Sequence, residues 1–226
     1  MKGVKVDAKD AFKRTPLHYA AIKGHKDIID MLITNGANLD LRDCHNKTPL
    51  HFAADNGHKD VAEKLIMKEA KVDIKDNKWR TVLHYAAMKG LKNVVEKIIT
   101  KGANLDLGDF HDKTPLHYAA ENGLKDIVEK LITKGANPNN RDLNGKIPLS
   151  LAISKGKADV AEELINRGSD LTSKDQYGDT PLHLAVMNGN LKIVQLLVEK
   201  GASLTAKDYR RNARTPYETA CVFDGE

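Results

Sequence analysis

A four-residue motif, Thr-Pro-Leu-His, returns along the chain at a constant spacing, and this repetition constrains the fold more than any other feature. The complete copies are Thr15–His18, Thr48–His51, Thr114–His117 and Thr180–His183. Altered copies at Thr81–His84 and Ile147–Ser150 fill the gaps, so six copies follow one another at a period of 33 residues. A seventh start, Thr215-Pro216, arrives two residues late. Self-similarity at a period of about 20 to 50 residues predicts a solenoid of stacked repeats.

Each repeat predicts two short helices. Thr15 suits a helix N-cap, and Pro16 suits the first helical position, where no N–H is needed. Gly24 can end this first helix in a left-handed turn. A second helix then carries one apolar stripe, formed by Ile28, Ile29, Leu32 and Ile33, and ends at Gly36. The remaining residues of the repeat predict an extended excursion with a tight turn at its tip.

Neither helix of a repeat would be stable alone. A short isolated helix is marginal in water, and here its apolar stripe would also face the solvent. Stacking on the next repeat buries that stripe, which is the physical basis of a solenoid. Aromatic residues make up only 5% of the chain, which suits thin layers filled by Leu, Ile, Val and Ala.

The motif and its period resemble the ankyrin repeat, whose pattern is T-P-L-H-x-A at 33 residues. The resemblance covers roughly residues 4 to 222. It implies an all-α repeat solenoid in which each repeat contributes a helix-turn-helix and a β-hairpin loop, and the repeats form a curved, L-shaped stack. It also implies one ankyrin-repeat domain over residues 1–226. Its expected repeats are 10–42, 43–75, 76–108, 109–141, 142–174 and 175–207, with a partial one at 208–226.

The fourth place of each repeat departs from the family. Glycine is usual there because the backbone φ angle is positive, but this chain has Lys13, Asn46, Trp79 and Asp112 before Gly145 and Gly178. Asn and Asp tolerate the left-handed region, whereas Lys and Trp are less suited to it. Two interpretations are open for Trp79, the only tryptophan. Its side chain packs over the neighbouring hairpin, or it anchors a partner, since Trp is enriched in binding hot spots.

The fifth repeat has lost both its Thr and its His, at Ile147 and Ser150. Losing the cap should cost about 1 kcal/mol. We therefore expect this repeat to be the weakest part of the stack.

The histidines of the motif invite a metal site, but their spacing argues against one. Equivalent residues in adjacent repeats stand about 10 Å apart, the distance between packed helices, whereas zinc ligands lie at about 2 Å. The family resemblance instead implies a structural hydrogen bond between neighbouring repeats. The chain also lacks the nucleophile, phosphate-loop, dinucleotide and zinc-protease motifs. We expect no catalytic residue, metal or cofactor, and no enzymatic activity.

The hydropathy of the chain and its two cysteines indicate the compartment in which we expect this protein. The sequence contains no stretch of about 18 apolar residues, so no membrane span is expected. Only Cys44 and Cys221 are present, and no secretory signal precedes them, which favours a reducing compartment. We expect a cytoplasmic protein, or one in the host cytosol if it is a secreted effector.

The charge is unevenly distributed over the repeats. In the family, partners contact the hairpin tips and the exposed side of the first helix, and these places amount to 36 residues here. Fourteen of them are basic and three, Asp55, Glu121 and Asp179, are acidic, although the net charge of the whole chain is only +5. Such a surface would steer an acidic partner by long-range attraction. The alternative is a solvated face of ordinary family composition, because ten of the fourteen stand where basic residues are common in ankyrin repeats.

We therefore predict a protein-binding module that recognises an acidic surface through its concave face. The alternative is a targeting or regulatory arm of a larger enzyme, toxin or bacterial effector. Nucleic acid and anionic lipid are less favoured partners, and a monomer is the favoured state. The predicted contact residues are Phe12, Arg14, Ile22, Lys23, His45, Lys47, Lys78, Trp79, Arg80, Met88, Lys89, Phe110, His111, Lys113, Leu143, Lys146, Lys155, Tyr177 and Met187.

Overall fold

A computed structural model describes residues 5–210 and 213–223, and within the last helix it describes no side chain beyond residue 219. The described part of the chain contains thirteen α-helices and no β-strand. The first helices of the successive repeats are α1 Pro16–Lys23, α3 Pro49–Asp55, α5 Val82–Lys89, α7 Pro115–Glu121, α9 Pro148–Ser154, α11 Pro181–Met187 and α13 Pro216–Phe223. The second helices are α2 Lys26–Thr34, α4 Lys59–Met67, α6 Lys92–Thr100, α8 Lys125–Thr133, α10 Ala158–Asn166 and α12 Leu191–Glu199.

The predicted starts and stops of the first helices are confirmed. Thr15 has an extended backbone and precedes α1, whose first residue is Pro16. Gly24 follows α1 with a φ angle of 75°, in the left-handed region. The other first helices begin at the same place of their repeats, and α13 begins two residues late as the sequence indicates. Residues 211 and 212 of the insertion before α13 lie outside the described residues.

The chain divides into two compact units, Met1–Phe110 and His111–Glu226, called unit 1 and unit 2 below. In unit 1 the first helices pack in the order α1, α3, α5, and the second helices pack in the order α2, α4, α6. In unit 2 the first helices α7, α9, α11 and α13 form one row, and α8, α10 and α12 form the other. Each unit is therefore a short solenoid whose helix pairs cover one another.

The core lies between these rows. Leu17 and Ala21 of α1 are fully buried, and the leucines at the place of Leu17 in the next five repeats, Leu50, Leu83, Leu116, Leu149 and Leu182, are buried as well. The predicted stripe of the second helix is confirmed for Ile29 and Leu32, which are buried. Ile28 is 42% exposed, although the equivalent Val61 is 2% exposed, because no described helix pair precedes α1 and α2.

The excursions between helix pairs are hydrogen-bonded hairpin turns without regular strands in the described residues. In the second repeat the N–H of Asp43 donates to the carbonyl of Lys47 at 3.0 Å, and the N–H of Asn46 donates to the carbonyl of Asp43 at 3.1 Å. We call these turns, places one to five of each repeat, the tips.

Positive φ angles occur at every predicted fourth place. They are 60° at Lys13, 58° at Asn46, 61° at Trp79, 56° at Asp112, 72° at Gly145 and 80° at Gly178. Two further non-glycine residues with a positive φ were not foreseen. Glu69 has a φ of 67° after α4, where most other repeats have glycine, and Ala213 has a φ of 44°.

Candidate binding surface

The tips are held rigidly by the aspartate that opens each repeat. In the second repeat, Oδ1 of Asp43 accepts the N–H groups of His45 at 2.8 Å and of Lys47 at 2.9 Å. Asp76 does the same in the third repeat for Lys78 and Arg80. The side chains at places two to five therefore stand on a fixed backbone.

Backbone hydrogen bonds also tie each tip to the next one within a unit. In unit 1 the N–H groups of Cys44, Asn77 and Phe110 donate to the carbonyls of Phe12, His45 and Lys78, at 2.9, 3.0 and 2.9 Å. In unit 2 the N–H groups of Leu143, Gln176 and Tyr209 donate to the carbonyls of His111, Asn144 and Tyr177, at 3.0, 2.8 and 2.8 Å. Each unit thus presents a continuous row of tips.

The histidines of the motif are structural, as the family resemblance implies. The backbone N–H of Thr15 donates to Nδ1 of His18 at 3.0 Å, and Nε2 of the same ring lies 3.2 Å from the carbonyl oxygen of Lys47 in the next repeat. Because Nδ1 accepts, Nε2 carries the proton and donates. His51, His117 and His183 make the equivalent pair of contacts.

Burial favours the neutral form of three of these rings. It lowers the pKa of His51 to about 4, and it also lowers the pKa of His18 and of His117. In the fifth repeat, Ile147 and Ser150 are both buried and α9 begins without a side-chain cap. That repeat therefore lacks the Thr–His pair.

The predicted apolar contact residues at the tips are exposed. In unit 1, Phe12, Trp79 and Phe110 are 57%, 55% and 62% exposed. In unit 2, Leu143 and Tyr177 are 62% and 53% exposed. The residues at the ends of the first helices, Ile22, Met88 and Met187, are only half-buried or partly exposed.

The packing interpretation of Trp79 is confirmed, and its role as a partner anchor stays a prediction. Its ring lies 6.1 Å from that of Phe110 in an edge-to-face arrangement of 78°, so it does pack on the neighbouring tip. The Nζ atom of Lys75 lies 5.6 Å from the Trp79 ring centroid, a contact that was not anticipated from the sequence. More than half of the side chain nevertheless faces solvent.

Several predicted basic residues of unit 1 are engaged inside the protein. Nε of Arg14 lies 3.4 Å from Oδ2 of Asp43, and Nε of Arg80 lies 3.2 Å from Oδ2 of Asp109. Nζ of Lys47 lies 2.8 Å from Oδ2 of Asp55. The predicted lysine and histidine contacts of unit 1 that are exposed are Lys23, Lys78, Lys89 and His45.

Unit 2 shows the same division. Oε2 of Glu121 lies 2.8 Å from Nζ of Lys113, and its Oε1 lies 3.7 Å from Nζ of Lys155. Lys155 and His111 are exposed, whereas Lys146 is half-buried.

Asp179 forms an ion pair that the sequence interpretation missed. This residue replaces the usual basic side chain at the fifth place and is buried. Its two carboxylate oxygens each lie 2.7 Å from a guanidinium nitrogen of Arg210, which also contacts Asp208. Two sequence changes could have predicted this ion pair: the basic residue at place five is replaced by Asp179, and place three of the next repeat is occupied by Arg210.

The described residues offer neither a metal site nor a membrane-spanning helix. No group of three or more His, Cys, Asp or Glu side chains is arranged there to hold a metal ion. No helix in that part of the chain is both long enough and apolar enough to cross a membrane.

Comparison with known proteins agrees with the repeat architecture. The family model described as "Ankyrin repeats (3 copies)" matches residues 1–76, 70–142 and 126–208. The crystal structure of the human ASB11 ankyrin repeat domain is similar, with a TM-score of 0.81 and 27% identity, over 92% of this chain and 92% of that one. A putative ankyrin repeat protein of fowlpox virus, FPV244, is 46% identical over 37 residues, which are 16% of this chain and 6% of the viral protein. The match therefore spans a small part of that curated relative. Because the family model covers most of the chain and the helix pairs stack as repeats within each unit, this protein belongs to the ankyrin repeat family.

Proposed function

We propose that this protein binds another protein through its tips and the exposed ends of its first helices, and that the partner offers an acidic surface. Ankyrin repeats are protein–protein interaction modules. The observation that carries the proposal is the row of large apolar side chains at the tips, each more than half exposed, among exposed lysines. Aromatic side chains amid positive charge suit a protein interface better than a bare phosphate track.

The internal ion pairs sharpen the electrostatic part of the proposal. The three acidic residues of the predicted surface are each paired with a base of their own unit, so they are not available to attract a cationic partner. Lys23, Lys78 and Lys89 remain exposed in unit 1. Among the predicted contact residues, the exposed side chains with a full charge are lysines, which favours carboxylates on the partner.

Charge reversal at two of these lysines tests the proposal. The bait carries Lys78→Glu and Lys89→Glu, and the matched control carries Lys26→Glu and Lys59→Glu at the first residues of α2 and α4. Both variants change the net charge equally. Immobilised baits are exposed to nuclease-treated lysate, and the captured proteins are identified by mass spectrometry.

We expect the wild-type and control baits to capture acidic proteins that the Lys78→Glu, Lys89→Glu bait does not capture. Recovery of the same proteins by all three baits would refute the assignment of the surface. Loss of all binding after nuclease treatment would point to nucleic acid instead, and that binding should fall steeply with salt concentration.

The second candidate function is a targeting or regulatory arm of a larger enzyme, toxin or effector. It is favoured by the solved relative, which is itself described as a domain, and by the viral relative, of which the match spans 6%. The same surface would then select the target on which the other part acts.

A further inference from the structure

Trp79 stands at a backbone position that favours another residue. Its φ angle is 61°, in the left-handed region where a bulky side chain is disfavoured relative to glycine. Gly145 and Gly178 occupy the same place in later repeats at 72° and 80°. The turn itself closes through the N–H of Trp79 and the carbonyl of Asp76 at 2.9 Å, so it requires no indole. The fold therefore needs a left-handed residue here but not a tryptophan.

The indole makes one exposed aromatic patch with Phe110. The two rings meet edge to face, 6.1 Å between centroids, and each side chain is more than half exposed. Phe110 is held in place by its own N–H, which donates to the carbonyl of Lys78. The patch thus combines a fixed backbone with two rings that are each more than half exposed, as expected of an anchor site rather than of core.

Two lysines lie beside this patch. Nζ of Lys75, which is half-buried, lies 5.6 Å from the Trp79 ring centroid, and the exposed Lys78 directly precedes Trp79 in sequence. The carboxylates of Asp76 and Asp109 are buried and engaged: Asp76 accepts the hydroxyl of Tyr85 at 2.6 Å, and Asp109 pairs with Arg80 at 3.2 Å. A ligand on the patch therefore meets aromatic surface bordered by ammonium groups.

We infer that the Trp79–Phe110 patch receives one large apolar side chain of the partner, carried on a segment with carboxylates next to it. The inference rests on the proposed function and names the chemistry that one tip pair selects. The apolar side chain covers the exposed rings, and the flanking carboxylates face Lys75 and Lys78. A nucleic acid, whose bases could stack on the same rings, is the competing occupant.

A display library of random peptides, selected on the full-length protein, tests the inference without knowledge of the partner. We expect the enriched peptides to combine Leu, Ile, Met or an aromatic residue with adjacent Asp or Glu. Because Trp79 is the only tryptophan in the chain, its fluorescence reports on this patch alone. Titration with the most enriched peptide should shift the emission to shorter wavelength, and replacing the apolar residue of that peptide by Ser should abolish the shift.

Variants locate the site. Trp79→Gly and Phe110→Ala should each weaken binding of that peptide at least tenfold, measured by calorimetry, while Trp79→Gly leaves the melting temperature unchanged or higher. The matched control is Phe12→Ala, which removes another exposed aromatic tip residue of unit 1 and should change the affinity less than twofold.

The outcomes separate this inference from the proposed function. The proposed anchor role is overturned if Trp79→Gly binds the peptide with unchanged affinity, or if Phe12→Ala loses as much affinity. It is also overturned if the enriched peptides lack the apolar or the acidic residues, or if no peptide is enriched. An oligothymidylate that binds tighter than the peptides and quenches Trp79 would overturn it too. If Lys78→Glu and Lys89→Glu still abolish capture of acidic proteins, the proposed function stands without the anchor. If that capture is also unchanged, both fail.

Discussion

Restoring one hydroxyl beside Asp142 should strengthen the fifth repeat. In the third repeat, Tyr85 donates its hydroxyl to Oδ2 of Asp76 at 2.6 Å. Leu151 stands at the place of Tyr85 in the fifth repeat, and the buried Oδ2 atom of Asp142 has no hydrogen-bond partner among the described residues. Leaving such an acceptor unsatisfied costs about 1–3 kcal/mol, and more if it is charged. The substitution Leu151→Tyr should remove this cost.

The expected gain can be separated from the effect of the ring. A hydrogen bond to a charged group contributes about 1.5–3 kcal/mol, whereas a larger side chain in a packed site costs roughly 1–3 kcal/mol. The matched control is Leu151→Phe, which brings the ring without the hydroxyl. Phe52 occupies this place naturally in the second repeat, where Arg14 contacts the opening aspartate instead. The free energy of unfolding of Leu151→Tyr should exceed that of Leu151→Phe by about 1.5–3 kcal/mol.

Urea unfolding followed by circular dichroism measures this difference, and hydrogen exchange over residues 142–174 shows whether the gain is local to the repeat. Leu184 and Asp175 provide an independent copy of the experiment, because Oδ2 of Asp175 is also buried without a partner in the part of the chain that the structure describes. If the Tyr and Phe variants agree within about 0.5 kcal/mol at both places, the reasoning from unsatisfied carboxylates is refuted.

Three further predictions test other parts of the structure. Because the pKa of His51 is about 4 in the folded state and 6.5 in the reference state, the unfolded chain takes up the proton first as the pH falls. The contribution of neutral His51 to the free energy of unfolding is complete above about pH 6.5 and should drop by about 2 kcal/mol from pH 7 to pH 5. Urea unfolding measures this drop, and an equal pH dependence of wild type and His51→Gln would contradict it. Gly178→Ala should lower the free energy of unfolding by about 1–3 kcal/mol more than Gly36→Ala, as measured by thermal unfolding. The new Cβ at residue 178 would lie 2.5 Å from a backbone nitrogen of the next tip, whereas Gly36 has open space at a similar φ. Equal losses of stability in the two variants would argue against this prediction. Amides of residues 142–174 should exchange faster than those of residues 109–141, because the fifth repeat lacks the Thr–His pair, and equal protection in mass-spectrometric exchange would show that this repeat is not weakened.

The sequence predicted the backbone well because its signals are local. A Thr-Pro step starts a helix, a glycine ends it, and a fixed hydrogen-bonded turn requires a left-handed residue four places into the repeat. These rules located α1 and its counterparts and the positive φ at Trp79. Glu69 was missed because the prediction relied on glycine itself, and this repeat has a charged residue at the place where the other repeats have glycine.

The candidate surface was less predictable because ion pairing depends on distances between places that are far apart in sequence. A count of charges treated Arg14, Lys47 and Arg80 as free contacts, but each has a carboxylate within 3.4 Å. Arg14 reaches an aspartate 29 residues away, and Arg210 reaches Asp179 31 residues away. The stacking of one repeat on the next brings these two pairs together, whereas Lys47 and Asp55 are eight residues apart within one repeat. The binding role of the exposed tip residues stays a prediction.

The bonds between neighbouring tips are made by main-chain N–H and C=O groups, as at Cys44 and Phe12 or at Leu143 and His111. Every residue type except proline can supply these groups, so cohesion between repeats places little demand on the side chains that face outward. Substitutions at the tips can therefore change which partner this protein binds while its fold stays the same. A lineage carrying such a scaffold can follow a changing target by substitutions at single tips, with no accompanying repair of the interior.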